Sequence, residues 1–303
     1  MQELKIKSVN WISIDKPTEA DIVELSQKFP QIHPIVLEDL VTPTIRSRVE
    51  NYDHHLYMVL HFPNLQERQN KVVAQEIDFI LMEDTMITVQ YGPIDLIHRF
   101  RKRCESDSAF ADRAGKSPIH LLYYLLLEFF ALCLKELDRI QEEIDLIEEH
   151  AFSRQEKKIL GSISLLKRNI LDFRRAIKPQ QLTLESLHIQ ATELYGAKTK
   201  PFLNDLVGEY LKVWSLLENH KETLDALYDT NHSLLAFRTN EIMRVFTILA
   251  FISFIPTVTA NIYGMSIEHI PLLHHPYAFE IILGFMAVTT LLVYVVLKWR
   301  KLV

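Results

Sequence analysis

Helix breakers are missing from one long stretch of this chain. After Pro201 no proline occurs until Pro256, and Gly208 is the only glycine before Gly264. That excludes a turn and predicts an unbroken helix of about 60 residues, on the order of 90 Å long at 1.5 Å per residue. Pro201 suits the first helical turn, where its missing N–H costs nothing. Cysteine is scarce as well. Cys104 and Cys133 stand alone, with no C-x-x-C pair and no histidine at zinc spacing, so they read as reduced structural thiols. A basic excess is lacking: 33 Lys and Arg against 39 Asp and Glu give a net charge of −6, which argues against a nucleic-acid partner. The chain has no P-loop, no G-x-G-x-x-G, no H-E-x-x-H and no G-x-S-x-G. An enzyme reading therefore has nothing to stand on. Residues 1–5 carry no apolar h-region, so no cleaved signal peptide is expected. Internal repeats and low-complexity runs are missing too, and the 13 histidines are scattered.

What is present begins with two apolar segments near the end of the sequence. Residues 245–265 close the long helix, and residues 278–297 follow with Glu280 as their only charge. Each is long enough to cross a hydrocarbon core of ~30 Å. Arg238 and Arg244 precede the first segment, while Lys298, Arg300 and Lys301 follow the second. Residues 266–277 between them contain neither Lys nor Arg, so the positive-inside rule predicts an integral membrane protein with both termini in the cytoplasm. A third apolar run, residues 119–134, holds His120 and Glu128 and is too short to span. It reads as a buried helix of a soluble domain.

Upstream the pattern is mixed. Residues 5–14 alternate as one strand, Thr18 and Asp21 form a helix-capping pair, and residues 33–40 suggest a short helix. Residues 57–62, 76–82 and 85–91 read as strands, the last two joined by a tight turn at Glu83 and Asp84. The fold class predicted is an α+β soluble N-terminal domain, then a very long helix and two transmembrane helices. Residues 136–150 are acidic and residues 153–177 basic, which suggests an antiparallel hairpin whose charges form solvated faces. A looser helical segment, 179–196, leads into the long helix.

That helix carries two stripes. Leu203, Leu206, Tyr210, Val213, Leu217, Leu224, Leu227 and Leu234 make an apolar seam, with His220 and Asn231 in its polar gaps. The second runs Asp229, Ser233, Ala236, Asn240, Met243, Thr247, Ala250, Phe254, Thr257 and Asn261, spaced alternately by four and three. Its polar members fall in an otherwise apolar segment, so in lipid this line must face protein or water. If several copies meet around an axis, the line borders a pore. Asn240, Thr247, Thr257 and Asn261 offer uncharged oxygens, which suit a magnesium ion that keeps its water. Met243 and Phe246 either form an apolar collar that gates by dewetting or simply pack.

Asn240 through Met243, the mid-segment Pro256 and the run Tyr263-Gly264-Met265 resemble the CorA family of divalent-cation channels. The order Trp-Ile-x-x-x-Lys-Pro-Thr at 11–18, then His-Pro and Leu-Glu-Asp-Leu within 33–40, resembles the family's N-terminal domain. The resemblance covers essentially the whole chain and implies a funnel-shaped homo-pentamer in a prokaryotic inner membrane, in contact with lipid. Its parts would be a cytoplasmic α/β domain (1–118), a helical hairpin region (119–199), a long helix ending in the first span (200–265), an outer loop (266–277) and a second span with a basic end (278–303). It implies a divalent cation as substrate and regulator, with magnesium first and cobalt, nickel or zinc as other candidates. By resemblance, Asp229 would ring the cytoplasmic entrance. Asp205 would bind a regulatory ion between subunits, with Asp95 of a neighbour as partner; a solvated Asp near a helix N-terminus explains Asp205 equally well. Arg244, Lys298, Arg300 and Lys301 would form a basic ring beside the acidic hairpin. One departure stands out: the family signature is Gly-Met-Asn, and this chain has Gly264-Met265-Ser266. Glu268, His269, His274 and His275 crowd the same outer mouth, either as a site for softer ions or as an exposed polar loop. A diverged family member with another transport or non-transport role is the alternative to a conducting channel.

Overall fold

The computed structural model describes residues 1–66, 71–92, 94–151, 156–265 and 276–299. Two units are resolved, Met1–Tyr228 and Asp229–Val303.

The first unit is built on a six-stranded sheet. Its strands are β1 (Gln2–Ile6), β2 (Val9–Asp15), β3 (Arg48–Tyr52), β4 (His55–Gln66), β5 (Lys71–Leu81) and β6 (Thr85–Gln90), in spatial order β1-β2-β6-β5-β4-β3. Every neighbouring pair is antiparallel except β2 with β6. The single strand expected over 5–14 is two strands, because Lys7 turns the chain with φ 54°. β3 was not expected at all; its sequence RVENY alternates weakly, and pairing with β4 holds it in place.

Side chains alternate across this sheet and both faces are covered. Trp11, Met58, Leu60, Phe79 and Met86 point into the larger core, and Ile12, Tyr57, Val59, Ile80 and Ile87 into the smaller one. The smaller core is closed by α1 (Glu19–Lys28) and α2 (Pro34–Asp39). Thr18 and Asp21 cap α1 reciprocally, and the His33 ring caps α2. Helices α3 (Asp95–Ser106), α4 (Ser108–Ala114), α5 (Pro118–Ala151), α6 (Glu156–Ile177) and α7 (Gln180–Tyr195) belong to the larger core, as do the first residues of α8 (Lys200–Tyr263).

The apolar run at 119–134 lies inside α5, where Leu121, Leu122, Leu125, Leu126 and Phe130 are fully buried. It is long and apolar enough to span a bilayer by composition, and burial within the unit is what sets it apart. The expected seam of α8 is buried from Leu203 to Leu224. His220 is no polar gap: it is buried and its Nε2 donates to the Leu137 carbonyl at 3.0 Å. The basic helix α6 is also less solvated than its composition implies. Lys167 pairs with Asp225 of α8 at 2.6 Å and Arg174 with Glu218 at 2.7 Å, while Glu142, Asp145, Glu148 and Glu149 on α5 are exposed. Cys104 and Cys133 are free and buried, and burial pushes the Cys104 thiol up to about 12.

The second unit contains the rest of α8 and α9 (Ala278–Trp299). No residue of α9 is buried.

Candidate functional site

The second stripe lies wholly on α8, which continues without interruption from Lys200 to Tyr263 and contains Pro256. Pro256 has no N–H, so the Ile252 carbonyl lacks its helical donor. All ten stripe positions from Asp229 to Asn261 are exposed in the single chain. The apolar residues on other faces are exposed as well, for example Val245 at 57% and Phe251 at 60%. The polar oxygens, rather than exposure, therefore distinguish the line.

Those oxygens have a definite orientation. The Thr247 hydroxyl donates to the Met243 carbonyl at 2.7 Å, and the Thr257 hydroxyl to the Ser253 carbonyl at 2.7 Å. Ser233 does the same to the Asp229 carbonyl at 2.9 Å. With its proton turned back onto the helix, each hydroxyl presents only lone pairs outward. A helix surface of this kind accepts hydrogen bonds from the water shell of a cation and offers no competing donor. The sequence singled out Thr247 and Thr257 by spacing; the direction of their protons became visible only in the helix.

Asn240 and Asn261 sit in the same line, with Met243, Ala250 and Phe254 between them. Phe246 flanks it, 64% exposed, one position before Thr247. Asp229 is exposed at its inner end. Tyr263 is the last residue of α8; Gly264 donates its N–H to the Ala260 carbonyl at 2.8 Å, and Met265 follows. Ser266, Glu268, His269, His274, His275, Arg300 and Lys301 lie outside the described residues. Of the expected basic ring, Arg244 is on α8 and Lys298 on the last turn of α9.

The expected metal pair is not assembled within one chain. Asp205 is exposed near the start of α8, and Tyr123 of α5 donates to its Oδ2 at 2.7 Å. Burial and that bond to Asp205 raise the Tyr123 hydroxyl above its ordinary value, so the proton stays on the tyrosine. Asp205 is thus a carboxylate held at one oxygen and open at the other. Asp95 is exposed at the start of α3 and borders a cavity of about 260 Å³ with Arg99 and Glu136. Among the described residues no three His, Cys, Asp or Glu side chains converge on a metal-sized site.

Comparison with known proteins gives the frame for this arrangement. The cobalt/magnesium transport protein CorA of Thermotoga maritima is 28% identical over 295 residues, covering 96% of this chain and 82% of that protein. The complete structure of the CorA magnesium transporter from Methanocaldococcus jannaschii superposes with a TM-score of 0.84 at 19% identity, covering 96% of this chain and 90% of that one. The full-length CmaX protein shares the fold at a TM-score of 0.74 and 18% identity, over 96% and 89% of the two chains. The soluble α+β domain, the long helix and the C-terminal apolar helices are therefore a known architecture. The model of the CorA-like Mg2+ transporter protein matches residues 7–299, and the chain belongs to that family of membrane transporters.

Proposed function

We propose that this chain forms a homo-pentameric channel for hydrated divalent cations, with the Asp229–Asn261 line of each copy facing a common axis. The observation that carries this is the line itself: uncharged oxygens at alternating four- and three-residue spacing, hydroxyl protons turned inward, on an unbroken helix. Magnesium sheds water reluctantly, and acceptor oxygens hold its hydrated form. Met243 and Phe246 act as the apolar collar, and Asp229 concentrates cations at the cytoplasmic entrance. In this reading α9 packs outside α8 against lipid, residues 266–277 face outward, and both termini and the regions 1–118 and 119–199 are cytoplasmic, in a prokaryotic inner membrane. Magnesium and cobalt are the first substrates to test, since the Thermotoga maritima relative is named for both; nickel and zinc come next because of His269, His274 and His275.

Flux of magnesium, cobalt and zinc into liposomes tests it. Asn240→Leu should lower magnesium flux at least tenfold. Asn261→Gly should lower it more than Ser266→Ala, because Asn261 stands one turn below Gly264 and supplies the amide that Ser266 lacks. Unchanged flux in all three variants sinks the assignment of this line, and no flux of any ion in the parent protein favours the diverged alternative raised by Ser266.

Asp205 is assigned to regulation. Its open oxygen would bridge a divalent ion to a neighbouring copy, with Asp95 as the first partner to test, and so hold the closed state. Basic groups at Arg244, Lys298, Arg300 and Lys301 would meet the acidic hairpin as the gate moves. Asp205→Ala should abolish the protection against limited proteolysis that magnesium confers; full protection in that variant returns Asp205 to a solvated role held by Tyr123.

A further inference from the structure

The first unit holds an acidic cluster that conduction does not use. Glu76 and Asp78 stand two residues apart on β5, hence on one face of the sheet, and His61 lies directly across from Glu76 on β4. All three are buried, Asp78 fully and Glu76 to 6% exposure. Tyr57 and Tyr91 both donate to the same oxygen of Asp78, Oδ2, at 3.1 and 2.9 Å, which leaves Oδ1 without a donor. Neither oxygen of Glu76 receives a hydrogen bond.

The nearby ring does not cure this. His61 Nε2 is 3.2 Å from Glu76 Oε2, but it also lies 2.8 Å from the Thr44 carbonyl, which can only accept its proton. Ser47 occupies the other ring nitrogen at 3.0 Å. Gln180 donates to the His61 carbonyl, and its own Oε1 is unpaired. Four acceptor oxygens thus lie buried without donors. Each unmade bond costs about 1–3 kcal/mol, and more where the group is charged. Burial first, and the Glu76 charge second, hold the Asp78 carboxyl above its ordinary value, as expected where positive charge is lacking.

Over Glu76 lies a cavity of about 470 Å³ bordered by Thr44, Ser47, His61, Tyr91 and Arg175. Arg175 does not neutralise Glu76: it is 80% exposed and pairs with Asp172 at 2.8 Å. The side chains do not converge closely enough to grip a bare ion. A hard ion that keeps its water needs no such convergence. Six waters at ~30 Å³ each, with the ion, occupy roughly 200 Å³, and the cavity holds that volume. Every water would donate outward, which is what the unpaired oxygens lack, and magnesium characteristically binds through one or two carboxylates with waters retained. We infer that the pocket over Glu76 binds one hydrated divalent cation per chain, through water-mediated hydrogen bonds to Glu76 and Asp78. This site lies within one chain and depends on neither the α8 line nor Asp205.

The test counts bound manganese, a paramagnetic stand-in for magnesium, on the full chain in detergent by electron paramagnetic resonance. An Asp205→Ala background keeps the result separate from the regulatory assignment. Glu76→Gln keeps the shape and removes the charge; it should lose one manganese per chain. Ala74→Phe, at an exposed position of β5 on the cavity wall, should lose the same ion by filling the space while leaving the acceptors intact. If Glu76→Gln fails to fold, Ala74→Phe decides alone. An unchanged manganese count in the folded variants overturns the inference and leaves protons shared between the two carboxyls as the cluster's only counter-charge.

Discussion

The two units use the same kinds of residue under opposite rules. In Met1–Tyr228, Phe79, Phe100, Phe130 and Phe173 are fully buried and most polar groups beneath the surface have partners. In Asp229–Val303, Phe246, Phe251, Phe254 and Phe285 are 57–64% exposed, and α9 buries nothing. Soluble monomers rarely expose contiguous apolar area on that scale. The second unit is therefore incomplete as one chain in water, and in two separate ways. Its apolar faces need hydrocarbon. Its oxygen line needs other copies or water, because lipid satisfies no polar group. The first unit needs neither, and that contrast suggests where the chain can be broken.

The largest expected effect is on solubility. A chain ending at Tyr228 should stay in solution without detergent and unfold in one cooperative denaturant transition, whereas the full chain should require detergent. Precipitation of the shortened chain would show that the first unit relies on the second. Next in size is a matched pair of truncations read by denaturant midpoint. Phe130→Ala, in the larger core, should cost about 3–5 kcal/mol. Phe254→Ala, 63% exposed on the second unit, should shift the first unit's transition by less than about 0.5 kcal/mol. Equal losses would erase the distinction between the two environments.

The smallest effect is a pH slope. The native Asp78 carboxyl holds its proton to higher pH than the unfolded chain does. Stability should therefore fall as pH rises from the ordinary carboxylate range through the raised native value. Asp78→Asn keeps an oxygen for Tyr57 and Tyr91 and should flatten that slope in metal-free buffer. Its melting temperature should rise above the parent's at alkaline pH by about 2–4 °C per kcal/mol regained. Parallel pH profiles would mean that the native environment leaves Asp78 unshifted.

Legibility in the sequence followed the range of the interactions. The cap at Thr18 and Asp21 closes within one helical turn, and the residues alone revealed it. The α8 stripes repeat every three or four residues, so spacing sufficed for them too. The turn at Lys7 and Ser8 was hidden because a lysine takes the positive φ where glycine or asparagine is the usual signal. β3 was hidden because its only support comes from β4. Glu76 and Asp78 alternate on a strand as solvated acids do; chain segments far away in sequence, from Thr44 to Gln180, bury them. The signal was present in retrospect: two acids at alternating positions in a strand that ends Phe79-Ile80-Leu81. The ion pairs of α6 with α8 join residues about 45–60 apart, beyond any local pattern.

The spacing of the α8 line has a mechanical side. Alternating steps of four and three average 3.5 residues per turn, while a straight α-helix has 3.6, so on a straight helix the line slips sideways by ~20° every seven residues. From Asp229 to Asn261 it would wind roughly 90° around the rod. The oxygens can all face one axis only while the helices wrap around one another with a left-handed twist. Straightening the bundle would turn Asn261 away while Asp229 stayed in place, and tightening it would turn Asn261 back. Torsion applied at the inner end of the helix is thus a means of aiming the side chains at the outer end, with no hinge anywhere between.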